Sequence, residues 1–287
     1  MDLFLQNIYV LYGLTLVFGL VVGSFINVVV HRLPRILERA WQGECAQLLG
    51  IESQAAQGAF SLAHPGSHCP HCGHPVRPWE NIPLLSYVLL RGRCSACAEP
   101  IGLRYPLTEL ASALLALAVV AHFGPTGQAL AALLLTWGLF TLALIDYDTQ
   151  LLPDVITLPL LWLGLMFSLA GLFTGPAAAI LGAVAGYLGL WGVFQLFRLA
   201  TGKEGMGYGD FKLLALLGAW LGWQYLPQII ILSACVGAVV GVLLILLRGR
   251  NRDLPIPFGP YLAAAGWISL LWGDLINRAY LVWAGLA

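Results

Sequence analysis

Along this chain long apolar stretches alternate with short polar breaks, and the spacing of the breaks fits membrane helices. Eight apolar runs can be drawn, at about 8–30, 107–123, 128–146, 154–173, 177–198, 211–226, 228–247 and 259–276. At about 1.5 Å per residue, a run of roughly twenty residues crosses a hydrocarbon core of about 30 Å. The sixth run is short for a span, so it is expected to tilt, or to be shortened to hold Asp210 at a particular depth. The first run is longer than the apolar core of a signal peptide and no charged segment precedes it, so it reads as a retained membrane helix. GPTG at 124–127, TGP at 174–176 and WQYLP at 223–227 supply turn chemistry between runs. Only the stretch 32–104 is polar and long enough to form a small domain.

The pattern predicts an all-α polytopic membrane protein of about eight transmembrane helices, with a small polar domain inserted between helices one and two. The expected organisation is a first transmembrane helix at 1–30, a polar domain at 31–106 and a seven-helix membrane domain at 107–287. Composition agrees: 59% of the residues are hydrophobic and 10% are charged, far from the averages of a soluble domain. The 14 Lys and Arg balance the 14 Asp and Glu, so no basic excess points to nucleic acid; the lipid bilayer is the expected surrounding.

Where the charges fall gives an orientation. Arg32, Arg35, Arg39, Arg77, Arg91, Arg93 and Arg104 follow the first run, Arg198, Lys203 and Lys212 flank the fifth and sixth, and Arg248, Arg250 and Arg252 precede the eighth. If eight spans alternate, all of these share one side and only Arg278 lies on the other, as the positive-inside rule requires. The N-terminus is then outside the cytosol, and the polar domain, Asp146 and Asp210 are on the cytosolic side.

Within the polar domain, CPHC at 69–72 and CSAC at 94–97 form two C-x2-C pairs. Four thiolates in this pattern suit a tetrahedral zinc ion, which closes a loop too poor in apolar residues to fold alone. Cys69, Cys72, Cys94 and Cys97 are therefore the expected ligands of one structural Zn²⁺. Two disulfides are the alternative, which a reducing cytosol disfavours. His68, His71 and His74 crowd the first pair and could replace a cysteine, although four cysteines already fill the shell. Cys45, in the polar loop, and Cys235, in the seventh run, read as bystanders.

The glycine-punctuated stretch 204–212, EGMGYGDFK, ends at Asp210 on the lip of the sixth run, and Asp146 closes the third run as TLALID. Gly205, Gly207 and Gly209 let the backbone enter conformations closed to other residues, or lie against another chain. Two carboxylates at the ends of two membrane segments make a candidate acid/base pair, which should titrate as a coupled unit. Asp210 could instead cap its helix; three glycines exceed what a cap requires and tilt the reading towards function.

Asp148 lies two positions from Asp146, on the opposite face of a helix, and reads as a solvated loop residue. Asp154 follows Pro153 at the position of an N-cap. Glu109 reads as a first-turn dipole partner, or as part of a second site. Lys212 either snorkels or lies near Asp210. Ser24 and Asn27 are polar within the first run, which points to helix packing.

The ordered set GSFINVVVHRLP, CPHC with CSAC, RYPLTE, IDYDTQLLPD, EGMGYGDFKLLA and PFGPYLA closely resembles the type IV prepilin peptidases, aspartic enzymes of the bacterial inner membrane that serve pilus and type II secretion systems. The resemblance runs nearly the whole length of the chain. It implies a protease of the GxGD kind, whose aspartate falls on Asp210 of GYGD. The partner, the first aspartate of the D-x-D pair before LPD, falls on Asp146. The four cysteines match the family's cytosolic cysteine motif.

The resemblance also implies a substrate, the precursor of a pilin or pseudopilin whose basic leader ends in glycine. It further implies methylation of the newly exposed N-terminal amine by S-adenosylmethionine. No Gly-rich methyltransferase fingerprint of the soluble type occurs, so the residues that bind this donor are not assigned. A transporter is a rival reading, since intramembrane acids also mark ion pathways, but it predicts symmetric halves, and the GYGD stretch and the cysteine pairs have no counterparts. A scaffold of a secretion machine would leave the acids dispensable.

Overall fold

A computed structural model describes residues 7–51, 60–203, 205–248 and 257–283. Glu204, Arg250 and Arg252 lie outside the described residues. The nine α-helices among these are α1 (Ile8–Leu49), α2 (Leu85–Leu89), α3 (Arg104–Phe123), α4 (Gly127–Thr149), α5 (Asp154–Leu169), α6 (Pro176–Thr201), α7 (Tyr208–Leu221), α8 (Leu226–Arg248) and α9 (Gly259–Trp283). Each of the eight apolar runs has become a helix, α2 being the additional short one. Among the described residues, five helical segments suffice by length and composition to cross a membrane, at 8–49, 104–123, 127–149, 176–201 and 223–243. The chain divides into two compact units, Met1–Pro125 and Thr126–Ala287.

In the first unit α1 and α3 pack side by side because small residues line their seam. A Cβ added at Gly19 or Gly23 would lie 2.6 Å from the Cα of Ala113 or 2.7 Å from that of Glu109, so only glycine permits the approach. Ser112 Oγ donates to the Gly19 carbonyl at 2.7 Å and Asn27 Nδ2 to that of Tyr105 at 3.1 Å, which gives Asn27 the packing role expected of it. By contact, then, the second apolar run belongs with the first.

The first helix does not stop near residue 30. It continues through Pro34 to Leu49, where Gly50 (φ 64°) turns its N–H back onto the carbonyls of Ala46 and Gln47. Residues 35–49 are rich in the helix formers Leu, Glu, Arg, Ala and Gln, which an apolar-run criterion does not register. Cys45 thus sits on a helix rather than in a loop. The extended helix anchors the segment that begins at Phe60: Arg32 donates to the carbonyls of Ser61 and Leu62 at 3.1 and 3.2 Å, and Arg39 lies 4.3 Å from the centre of the Phe60 ring.

The second unit is built around α7. Of residues 210–221 only Lys212 is not fully buried, so this short helix is apolar all round and is wrapped by α5, α6 and α9. α6 meets α7 backbone to backbone, Gly182 against Gly218 and Gly186 against Leu214. On the other side Trp220 lies over Gly164 and donates its indole N–H to the Leu160 carbonyl at 2.7 Å. α4 is joined to α9 by Trp267 Nε1 donating to Thr136 Oγ1 at 3.1 Å. The 223–227 break forms a 3-10 turn leading into α8.

Candidate active site

Asp146 stands on the last turn of α4 and Asp210 on the first turn of α7, and both are buried, 5% and 8% exposed. They lie within one unit. Asp146 Oδ2 accepts the backbone N–H of Gly259, the first residue of α9, at 3.0 Å. The backbone N–H of Asp210 donates to the Gly207 carbonyl at 3.2 Å. The ends of α4, α7 and α9 thus come together around Leu152, between the two acids.

Gly207, not Asp210, is the N-cap residue of α7, and Asp210 is three positions further in. The glycines serve mainly close approach. None of Gly205, Gly207 and Gly209 has a positive φ. A Cβ at Gly209 would lie 2.8 Å from the Cβ of Leu152, and one at Gly205 would lie 2.7 Å from Phe197 Cε1, whereas at Gly207 it would meet nothing closer than 4.0 Å. At Gly259 a Cβ would come within 2.6 Å of Asp146 Oδ2 and 3.3 Å of Leu152 Cδ1. Leu152 is therefore the wedge of the site, seated between the glycine that opens α9 and the glycine before Asp210. Reading the sequence singled out neither Leu152 nor Gly259; both stand in quoted motifs, LLPD and PFGP, but nothing in one dimension joins them.

The other acids fall elsewhere. Asp148 is exposed on the final turn of α4, which runs to Thr149, so it is helical and not in a loop. The N-cap residue of α5 is Pro153; Asp154 is one position inside, and both its oxygens accept from Lys212 Nζ at 2.7 Å. Lys212 is thus paired with Asp154. Glu109 is not in a first turn: buried on α3, it accepts the Leu84 N–H at 2.8 Å.

In the first unit the sulfurs of Cys69, Cys72, Cys94 and Cys97 all lie within 4.8 Å of one another. Cys69 and Cys97 are 3.8 Å apart, and Cys72 and Cys94 4.0 Å. A tetrahedral shell with metal–sulfur bonds of about 2.3 Å has edges of about 3.8 Å, so the donor set fits one zinc-sized ion.

The two loops repeat one conformation. Cys69 N–H donates to the His74 carbonyl and Gly73 N–H to that of Cys69; Cys94 N–H donates to Glu99 and Ala98 N–H to Cys94. Gly73 and Ala98 both have positive φ, 72° and 58°. Isolated bridges His68↔Pro75 and Arg93↔Pro100 close the two turns. The backbone N–H groups of Cys97 and Ala96 hold the Cys94 thiol down while burial and the neighbouring sulfurs push the Cys97 thiol up, so the cluster favours a thiolate beside thiols. His71 and His74 are turned to Glu99 and Glu80, each at 3.5 Å, and stand outside the cluster.

Two families match the chain. The bacterial peptidase A24 N-terminal domain covers residues 17–123, close to the bounds of the first unit, and the type IV leader peptidase family covers 133–242, within the second. A protein of Pseudomonas aeruginosa named prepilin leader peptidase/N-methyltransferase is 61% identical over 271 residues, 94% of this chain and 93% of its own. Proteins of the same name from Stutzerimonas stutzeri and Aeromonas hydrophila are 57% and 56% identical, each over 94% of this chain and over 94% and 93% of their own lengths. No solved structure gives a significant match.

Proposed function

The chain belongs to the type IV leader peptidase family, and from that premise we propose that it removes the basic leader from type IV prepilins and type II secretion pseudopilins, then methylates the amine so exposed. It is an aspartic endopeptidase and an N-methyltransferase with S-adenosylmethionine as its second substrate, the source of the methyl group. The observation that carries the peptidase reading is that two buried acids, Asp146 and Asp210, from helices far apart in sequence, flank one side chain, Leu152, which fits against Gly209 beside Asp210 and Gly259 beside Asp146.

In the proposed reaction one carboxylate of the pair, ionised, takes a proton from a water that attacks the carbonyl of the leader glycine. The other, protonated, polarises that carbonyl and then protonates the leaving amine. The Gly259 N–H fixes the Asp146 carboxyl in place, so no rotamer search precedes the step. Leu152 and the buried body of α7 exclude bulk water behind the pair.

The protein would sit in the bacterial inner membrane with eight spans, its N-terminus periplasmic and the dyad at the cytosolic boundary, because thirteen of its 14 basic residues then fall inside. Cys69, Cys72, Cys94 and Cys97 would hold one Zn²⁺, which supplies the cross-link that closes the 60–103 loop. The test is to incubate detergent-solubilised protein with a prepilin and S-adenosylmethionine and weigh the product. Loss of the leader together with gain of one methyl group is expected; an intact substrate would overturn the reading.

A further inference from the structure

Between the two cysteine loops the chain carries a largely exposed apolar face, with the Arg77 guanidinium over the Trp79 ring, 5.5 Å from its centre. Trp79, Ile82, Leu85, Val88 and Leu89 are 61%, 43%, 51%, 69% and 71% exposed. Ile82, Leu85 and Leu89 recur at helical spacing, so they share one side of the segment formed by the 3-10 turn Pro78–Asn81 and α2. Tyr87 holds the opposite side: its ring packs where Gly92 leaves room and its hydroxyl donates to the Ile101 carbonyl. The face is therefore presented outwards by construction.

Two observations say what it meets. The first is depth. Leu84, at the start of α2, donates its N–H to Glu109 Oε2 at 2.8 Å, and Glu109 is five residues into α3, about 7.5 Å along its axis. α2 is thereby tied beside a membrane-length helix past its first turn, where α3 itself exposes Leu107 and Leu110, 60% and 40%. The apolar face continues a surface that a bilayer already covers. The second is charge. Arg77, Arg91, Arg93 and Arg104 flank the segment, all exposed, while the acid within it, Glu80, is turned inwards to accept the Arg77 N–H at 2.9 Å and Glu109, which holds Leu84, is buried. Apolar side chains rimmed by arginines match an interface of acyl chains under anionic headgroups.

We propose that residues 78–90 lie in the membrane surface, with Trp79, Ile82, Leu85, Val88 and Leu89 among the acyl chains and the arginines at the headgroups. The cysteine loops are then held against the bilayer rather than free in solution. The inference rests on the multi-pass reading, and the test separates the two.

A fluorescent amino acid is introduced singly at Val88, at Leu107 on α3, or at Ser67 beside the first cysteine loop, in full-length protein reconstituted into nanodiscs of phosphatidylcholine and phosphatidylglycerol. Lipids brominated on the acyl chain quench the probe at position 88 at least half as strongly as the one at 107, while the probe at 67 stays bright. Quenching at 107 with none at 88 overturns the interfacial segment and leaves the membrane reading intact, the face then docking protein. Absence of quenching at both overturns the membrane reading itself. Replacing phosphatidylglycerol with phosphatidylcholine lowers the quenching at 88 and leaves that at 107 unchanged; equal quenching in both lipids contradicts the role given to the arginines.

Discussion

Gly259 and Gly207 make opposite predictions although both border the acids. A methyl group at Gly259 cannot be placed without displacing the Asp146 carboxylate, since it would lie 2.6 Å from Oδ2. Gly259→Ala should slow cleavage by about 10²-fold, the usual consequence of a misplacement near 1 Å. The accompanying strain costs about 1–3 kcal/mol. Gly207→Ala meets open space and should cleave within a few-fold of the parent, read from initial rates on one prepilin. Equal losses in the two variants would show that the glycines act through backbone flexibility instead. At this scale the sequence yields the two acids, because charge at the end of an apolar run stands out. It does not yield Leu152 or Gly259, whose part depends on packing between segments over a hundred residues apart.

Among the elements, the join between α5 and α7 invites a second experiment. Asp154 and Lys212 form a two-oxygen ion pair at 2.7 Å, and they flank the wedge and the acid: Asp154 follows Leu152–Pro153, and Lys212 follows Asp210–Phe211. Their side chains are 51% and 29% exposed, so the pair contributes only about 0–1 kcal/mol to stability. Its larger effect should be on geometry. Lys212→Ala is expected to lower kcat several-fold with little change in KM or thermal midpoint, and the charge exchange of Asp154→Lys with Lys212→Asp should recover part of it. A double variant no better than the single one would remove the positioning role.

The eight apolar runs are legible as helices because hydropathy alone decides them. The ends are not: α1 runs on to Leu49 through amphipathic sequence, and Asp148 and Asp154 shift from loop and cap to helix because a one-residue move of a boundary changes each role.

For the molecule as a whole, the division at residue 125 sets apart two kinds of stability. The second unit rests on a buried apolar helix, the first on a glycine seam and, around the cysteines, on very little apolar burial. One zinc per chain is expected by elemental analysis. Its removal by a chelator should expose 60–103 to proteolysis while the 126–283 helices stay resistant; metal-free protein that remains protected and active would contradict a structural ion. The cysteine spacing made this centre legible from the sequence, whereas the matched turns of its two halves required coordinates.

The most direct test of the central claim is the cleavage rate of purified Asp146→Asn and Asp210→Asn on a prepilin. Asparagine matches aspartate in size, keeps at 146 a carbonyl oxygen for the Gly259 N–H and leaves at 210 the backbone bond to Gly207, so both variants should fold, with circular dichroism and thermal midpoint near those of the parent. Each should lose at least about 10³-fold in rate, because neither amide can exchange the proton that the reaction passes between water and the leaving amine. A folded variant of either that cleaves at the parent's rate would contradict the aspartate pair.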